Sequence, residues 1–232
     1  MAGGAGYCAG VADSVPVVLV HGFASSSAHG WGPAGWLEML REAGREVIAI
    51  DLPGHGTAPR STDPADYADV AATVAAAFVD CGPVDAVGFS AGARVLLEIA
   101  ARGLASFERL AVMGIGPSML EAREAAPFAI DNPDPTDVRA RLFRGLAKNA
   151  GNDPAPLAAF AARPGPPLTA VELAAITCEV LVVTGERDPV GDPEALAALL
   201  PNATGVLIDR ADHFSLQSNM RAMAAVLGFL GV

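Results

Sequence analysis

The sequence predicts an α/β protein: a mostly parallel sheet with helices on both faces, interrupted by a short helical, proline-rich insertion. Three observations carry this. Short β-branched apolar runs alternate with stretches of helical periodicity, which implies parallel strands joined by helical crossovers. The strand-like runs are apolar on both faces, as strands buried under helices are. The alternation lapses only over residues 116–175, where nine prolines fall and no run reads as a strand.

Taken in order, VPVVLV (15–20) is the first strand and a Ser/Gly-rich loop follows it. Over 33–43, Trp36, Leu37 and Leu40 share a helical face, and Gly44 stands where a C-terminal cap is expected. EVIAI (46–50) is the second strand, and DLPGHGTAPR is a loop full of breakers. Residues 67–79 read as a helix with Asp66 as N-cap. VDAVGF (84–89) is the third strand, 91–102 a helix and LAVMGI (110–115) the fourth strand. Within 116–175, short helices are expected at 119–125, 135–149 and 156–162. EVLVVTG (179–185) and TGVLI (204–208) are the last strands, with helices at 194–200 and 214–230. The organisation expected is a core of residues 1–115 and 176–232, with 116–175 as an insertion lying over one end of the sheet.

A chain of 232 residues can bury a sizeable core. Apolar residues make up 52% and charged ones 18%, which argues against a disordered chain. The net charge of −11, with no basic patch, argues against nucleic acid and anionic membrane surfaces as partners. The longest apolar strand-like run, 15–20, is far short of the roughly 20 residues that span a bilayer. The first ten residues, MAGGAGYCAG, lack the pattern of a signal peptide. Cys8, Cys81 and Cys178 form neither a disulfide framework nor a metal pair, so a cytoplasmic setting is expected. No phosphate-cradling loop or metal-ligand spacing is present, and no cofactor is implied.

The sharpest local signal is GFSAG (88–92), between a strand and a helix. A serine in that tight turn takes a strained backbone and holds its hydroxyl clear of the sheet. Side chains at i−2 and i+2 would collide across the turn, and Gly88 and Gly92 supply none. A serine nucleophile needs a base, and histidine is the usual one. Of His21, His29, His55 and His213, only His213 follows Ser90 in the chain, between the last strand and the last helix. His29 reads as an exposed loop residue and His55 as part of a structural turn. The base needs an acid to orient it. Asp188, in TGERDPVGD after a strand, is the choice over Glu186 and Asp212, while Asp192 reads as a helix cap. Backbone N–H groups must meet the developing oxyanion. Ala91, opening a helix, and Phe23, in the HGF that ends the first strand, are the candidates.

VVLVHGF, DLPGHG, GFSAG, TGERDPV and ADHF, in this order, resemble the α/β-hydrolase fold superfamily. The resemblance implies that Ser90, Asp188 and His213 form a catalytic triad, that Phe23 and Ala91 supply the oxyanion hole, and that 116–175 is the cap. It implies a cofactor-free hydrolase of esters, thioesters, lactones or related bonds. Only about 14 residues precede the first strand, so the hairpin that opens the fuller family pattern is expected to be reduced or absent. The substrate expected is a small or medium, largely uncharged ester. Other chemistries on the same triad are perhydrolysis, acyl transfer and C–C bond hydrolysis. A non-catalytic ligand-binding member of the fold is the further alternative. Met119, Phe128, Leu142, Phe143, Leu157 and Phe160, with Trp31 and Trp36, are candidate pocket linings. Arg139, Arg141 and Arg144 read as a solvated helix face that could also hold a carboxylate.

Overall fold

The computed structural model describes residues 14–122 and 128–232. Six strands form one sheet: β1 (Val17–Val20), β2 (Val47–Ile50), β3 (Val84–Phe89), β4 (Phe107–Met113), β5 (Glu179–Gly185) and β6 (Ala203–Ile208). Their spatial order is β2-β1-β3-β4-β5-β6 and every pairing is parallel. Among the described residues the chain enters mid-sheet at β1, steps outward to β2, then returns past β1 to β3. The carboxyl ends of β1 and β3 therefore flank the point where the winding reverses, the place where open α/β sheets form sites. Among the described residues no antiparallel strand opens the sheet; residues 1–13, where such a strand would fall, lie outside them.

Strand side chains alternate between two cores, as the two-residue period of a strand demands. Val18 and Val20 pack with Leu96, Leu97 and Phe78 on one side. Val17 and Leu19 pack with Trp31, Trp36 and Met223 on the other. Helices cover both faces, so all four β1 residues are fully buried. At the amino ends of the strands, the buried carboxylate of Asp85 meets Arg45 Nη2 at 2.5 Å. Arg45 also donates to Val15 O at 2.7 Å and Leu230 O at 3.0 Å, tying the edge opposite the site together.

The helices follow local capping chemistry. α2 (Trp36–Glu42) ends as expected, with Gly44 at φ 76 and Arg45 N returning to Leu40 O at 2.9 Å. The Ser/Gly loop before it contains a short helix that the sequence reading missed. This is α1 (Ser27–Trp31), capped by Ser26 Oγ accepting from His29 N at 3.2 Å. The single helix expected over 67–79 is broken into 3-10 turns at Pro64–Tyr67 and Val79–Cys81 around α3 (Val70–Ala75). Its cap is Asp69, whose carboxylate accepts from Ala72 N at 3.0 Å; Asp66 instead accepts from Ser61 Oγ at 2.5 Å. α4 (Ala91–Ala101) follows β3 directly.

Between β4 and β5 the described residues contain a 3-10 turn at Pro117–Leu120, α5 (Val138–Asn149), α6 (Pro154–Ala162) and α7 (Ala170–Ala174), and no strand. The helix expected at 119–125 is replaced by that turn, and residues 123–127 lie outside the described set. α7 was also unforeseen; Thr169 and Glu172 close a capping box at its start. α8 (Pro193–Ala197) begins at Asp192, which caps it as expected. The terminal helix is shorter than 214–230: a 3-10 turn at Leu216–Ser218, then α9 (Met220–Phe229) capped by Asn219. Among the described residues no helix is long and apolar enough to cross a membrane. Cys81 is disulfide-bonded and Cys178 is a free thiol. The disulfide at Cys81 departs from the expectation that the cysteines form no disulfide framework.

Candidate active site

Ser90 sits in the turn from β3 into α4 at φ 53 and ψ −110, a backbone state that costs about 1–3 kcal/mol unless its surroundings enforce it. They do. Ser90 N donates to Met113 O at 2.8 Å and Ser90 O accepts from Arg94 N at 3.1 Å. The two flanking glycines leave no alternative: a Cβ on Gly88 would stand 2.6 Å from Ala93 Cα, and one on Gly92 2.2 Å from Val20 O. The turn is thereby pressed against the end of β1.

His213 comes from the loop between β6 and α9. Its Nε2 lies 3.1 Å from Ser90 Oγ, and its Nδ1 lies 2.9 Å from Asp188 Oδ2. The Asp188 side chain is fully buried and its other oxygen accepts from Val190 N at 3.1 Å. Its backbone is pinned by Asp188 N to Gly185 O at 3.0 Å and by Gly191 N to Asp188 O at 3.2 Å. With a proton on Nδ1 directed at the carboxylate, the Nε2 lone pair faces the Ser90 hydroxyl. Close backbone approach brings the two loops together: a Cβ on Gly185 would stand 2.3 Å from Ala211 O.

The rivals are engaged elsewhere. Asp212 is exposed and accepts from Phe214 N and Ser215 N at 3.1 and 2.8 Å, and the Ser215 amide holds its carboxyl below the usual range. Glu186 accepts from Arg210 N at 2.8 Å. Sequence reasoning missed Gly114, at φ 61, where a Cβ would stand 3.2 Å from His213 Cε1 and 2.9 Å from Phe89 Cε2. It ends β4 at Met113, short of the strand expected through 115, and makes room for the imidazole between Phe89 and Phe214. A glycine inside a strand-like run was the available signal.

The Gly22–Ser25 turn follows β1, closed by Ser25 N to Gly22 O at 3.2 Å. Gly22 is required there, since a Cβ would stand 2.8 Å from Phe89 Cδ1. This turn carries the Phe23 amide, and the Ala91 amide opens α4; Val20 and Gly88 are register partners just below them. Ser90 and His213 line a cavity of about 290 Å³, at the small end of ligand sites. Phe143 and Leu146 from α5 and Phe214 give it apolar walls, and Ser25, His29 and Gln217 give it polar ones. His29 is exposed, as expected, yet borders the cavity from α1.

Of the expected linings only Phe143 reaches the cavity. Trp31 and Trp36 pack on each other in the core at 5.4 Å, and Leu157 and Phe160 are buried. Met119 packs on the main core, Leu142 is exposed, and Phe128 packs on Phe23 and Phe143. Arg139 lies over the Phe128 ring, while Arg141 and Arg144 donate to the backbone carbonyls of Pro135 and Asp131.

His21 and His55 are structural. His21 Nε2 accepts from Leu52 N at 3.0 Å, and His55 packs edge-on against Phe160 at 4.8 Å. Burial pushes both below the ordinary histidine range, His55 to about 3. Above pH 6.5 neither the folded nor the unfolded form of His55 carries a proton. Below that, the unfolded chain gains a proton that folded His55 refuses. Stability should fall from pH 6.5 toward about 3, by up to ~1.4 kcal/mol per pH unit. His55→Phe should flatten this acid limb in melting temperature measured against pH; parallel limbs in the two proteins would refute it.

A strained serine, an imidazole and a buried carboxylate thus stand in hydrogen-bond sequence along the carboxyl edge of a parallel α/β sheet. Residues 17–226 match the alpha/beta hydrolase family, and the chain belongs to it. The chain is 29% identical over 242 aligned positions to the pimeloyl-(acyl-carrier protein) methyl ester esterase of Neisseria meningitidis, covering 85% of this chain and 89% of that protein. It is 33% identical over 111 residues to the dihydrolipoyllysine-residue acetyltransferase component of the acetoin cleaving system of Pseudomonas putida, covering 45% of this chain but only 28% of that protein. Among solved structures, esterase RhEst1 from Rhodococcus sp. ECU1013 aligns with a TM-score of 0.67 at 25% identity, over 96% of this chain and 92% of that one. The 2-hydroxy-6-oxo-6-phenylhexa-2,4-dienoate hydrolase of Rhodococcus sp. strain RHA1 aligns with a TM-score of 0.69 at 19% identity, over the same shares.

Proposed function

We propose that this chain is a serine esterase that cleaves a small or medium, largely uncharged carboxylic ester through an acyl-enzyme. The observation that carries the reading is the continuous path from Ser90 Oγ to His213 Nε2 at 3.1 Å and from His213 Nδ1 to Asp188 Oδ2 at 2.9 Å, opening on one cavity. His213 takes the hydroxyl proton as Ser90 Oγ bonds to the acyl carbon. The Phe23 and Ala91 amides stabilise the oxyanion, and Asp188 stabilises the imidazolium. Collapse breaks the bond to the alcohol oxygen, which leaves with the proton from His213. Water then enters by the same route and releases the acid, restoring Ser90.

In this reading residues 116–175 act as a cap, with Phe143 and Leu146 roofing the acyl site. The cavity volume favours a short chain, and the apolar walls favour an uncharged one. The esterase among the relatives, whose name specifies the methyl ester of a carrier-bound acyl group, supports an ester over a C–C bond. Two measurements test the reading. A fluorophosphonate probe should label Ser90 and no other serine. A hydrolysis panel of methyl and aryl esters from acetyl to decanoyl, with lactones, thioesters and a carrier-bound methyl ester, should peak among short esters. No labelling, or labelling without turnover of any member, would make the protein a binding module.

A further inference from the structure

Ala150, Gly151, Asn152 and Asp153 join α5 to α6. Gly151, at φ 70, ends α5: its N–H reaches Lys148 O at 3.1 Å and the next N–H, of Asn152, reaches Ala147 O at 2.8 Å. Asp153 caps α6, accepting from Ala155 N at 3.0 Å, with Pro154 in the first turn. The Asn152 backbone is therefore fixed on both sides, and the residue is 7% exposed. Its side chain turns away from both helices. Nδ2 donates to Ser25 O at 2.8 Å and to Ala24 O at 3.2 Å, and Oδ1 accepts from Gly56 N at 2.7 Å. A flipped amide would set oxygen against two carbonyls and N–H against N–H, so the neighbours dictate its orientation.

The bonded turn is the one that carries Phe23. Ala24 is fully buried at φ 64, a left-handed conformation that alanine keeps only when its surroundings hold it. Ser25 N to Gly22 O, at 3.2 Å, closes the turn from within, and the two bonds from Asn152 hold its far side. We infer that Asn152 is a positioning residue: it fixes the strained Ala24 turn and so aims the Phe23 N–H at the oxyanion. The inference rests on the esterase reading above. Because Asn152 lies in the segment between β4 and β5, the aim of this donor depends on that segment being seated against the β1 loop.

The test uses Asn152→Asp, which keeps the acceptor for Gly56 but opposes the carbonyls of Ala24 and Ser25, together with Asn152→Ala and Asn152→Ser. Ser retains one donor and serves if Ala does not fold. Sites are counted by exhaustive fluorophosphonate labelling, so rates are per folded active site. We expect kcat to fall by about 10- to 100-fold with KM little changed, less than the ~10²–10³ for removing an oxyanion donor outright. Ser should lie between the parent and Ala. The diagnostic readout is the rate ratio of an oxo ester to its thiono analogue, whose sulfur is a weak acceptor. That ratio should drop along with kcat, because misaimed donors no longer favour oxygen. A kcat within about twofold of the parent, or a fall at constant oxo/thiono ratio, would overturn the inference. Ser90→Ala, run alongside, separates the two claims. If it turns over at the parental rate, the esterase reading fails; if its kcat falls by about 10⁴-fold while the Asn152 variants keep full rate, only the positioning role fails.

Discussion

Ser90→Ala should lower kcat on any ester the protein hydrolyses by roughly 10⁴-fold or more, with KM little changed. The methyl group keeps the turn, since the backbone at φ 53 is enforced by Gly88, Gly92 and the bond from Ser90 N to Met113 O. What disappears is the atom 3.1 Å from His213 Nε2 that, in the proposed mechanism, attacks the acyl carbon. Residual hydrolysis would come from the oxyanion donors and binding, with His213 activating water directly. The measurement is kcat by initial rates on an aryl ester, with thermal unfolding to check the fold. Turnover at the parental rate would remove Ser90 from the mechanism.

Asp188→Asn should be nearly as damaging, about 10³- to 10⁴-fold in kcat. The two side chains have the same shape, so the buried site can accept the amide. An amide nitrogen facing His213 Nδ1 would force the proton onto Nε2, where no lone pair would remain for the Ser90 hydroxyl. An amide oxygen there would preserve the tautomer but leave the imidazolium without a buried negative charge 2.9 Å away. Asp212→Asn and Glu186→Gln are the comparisons: both carboxylates are spent on loop amides, so kcat should stay within a few-fold. A full-rate Asp188→Asn, or a large loss in Asp212→Asn, would reassign the acid.

The four inner strands were legible because parallel strands buried on both sides are apolar without alternation, and the edge strands β2 and β6, though partly exposed, keep short apolar runs of the same kind. The short helices were not. α1 and α7 have five residues each, too few for a periodic face, and their caps at Ser26 and Thr169 resemble ordinary loop residues until the turn forms. The start of the helix expected over 67–79 was likewise obscured by competing aspartates at 63, 66 and 69: Asp63 caps the 3-10 turn and Asp69 the α-helical part.

Ser90, Asp188 and His213 could be named from the chain because each stands just past a strand end, and parallel strands deliver all such ends to one edge. Their spacing to within hydrogen-bond reach depends on what residues far apart in sequence do to one another. Gly114 clears space for the imidazole, Gly185 lets the acid and base loops touch, and Asn152 grips a turn 127 positions away. The pocket lining was decided in the same way. Trp31, Leu157 and Phe160 have the right chemistry for an acyl site but were drawn into cores, because apolar residues go wherever neighbouring elements offer surface to cover. Local order along a chain specifies strands, turns and the sequence of reactive groups. Which atoms meet, and how much space they leave, follows from packing between distant segments, to which no local pattern is a guide.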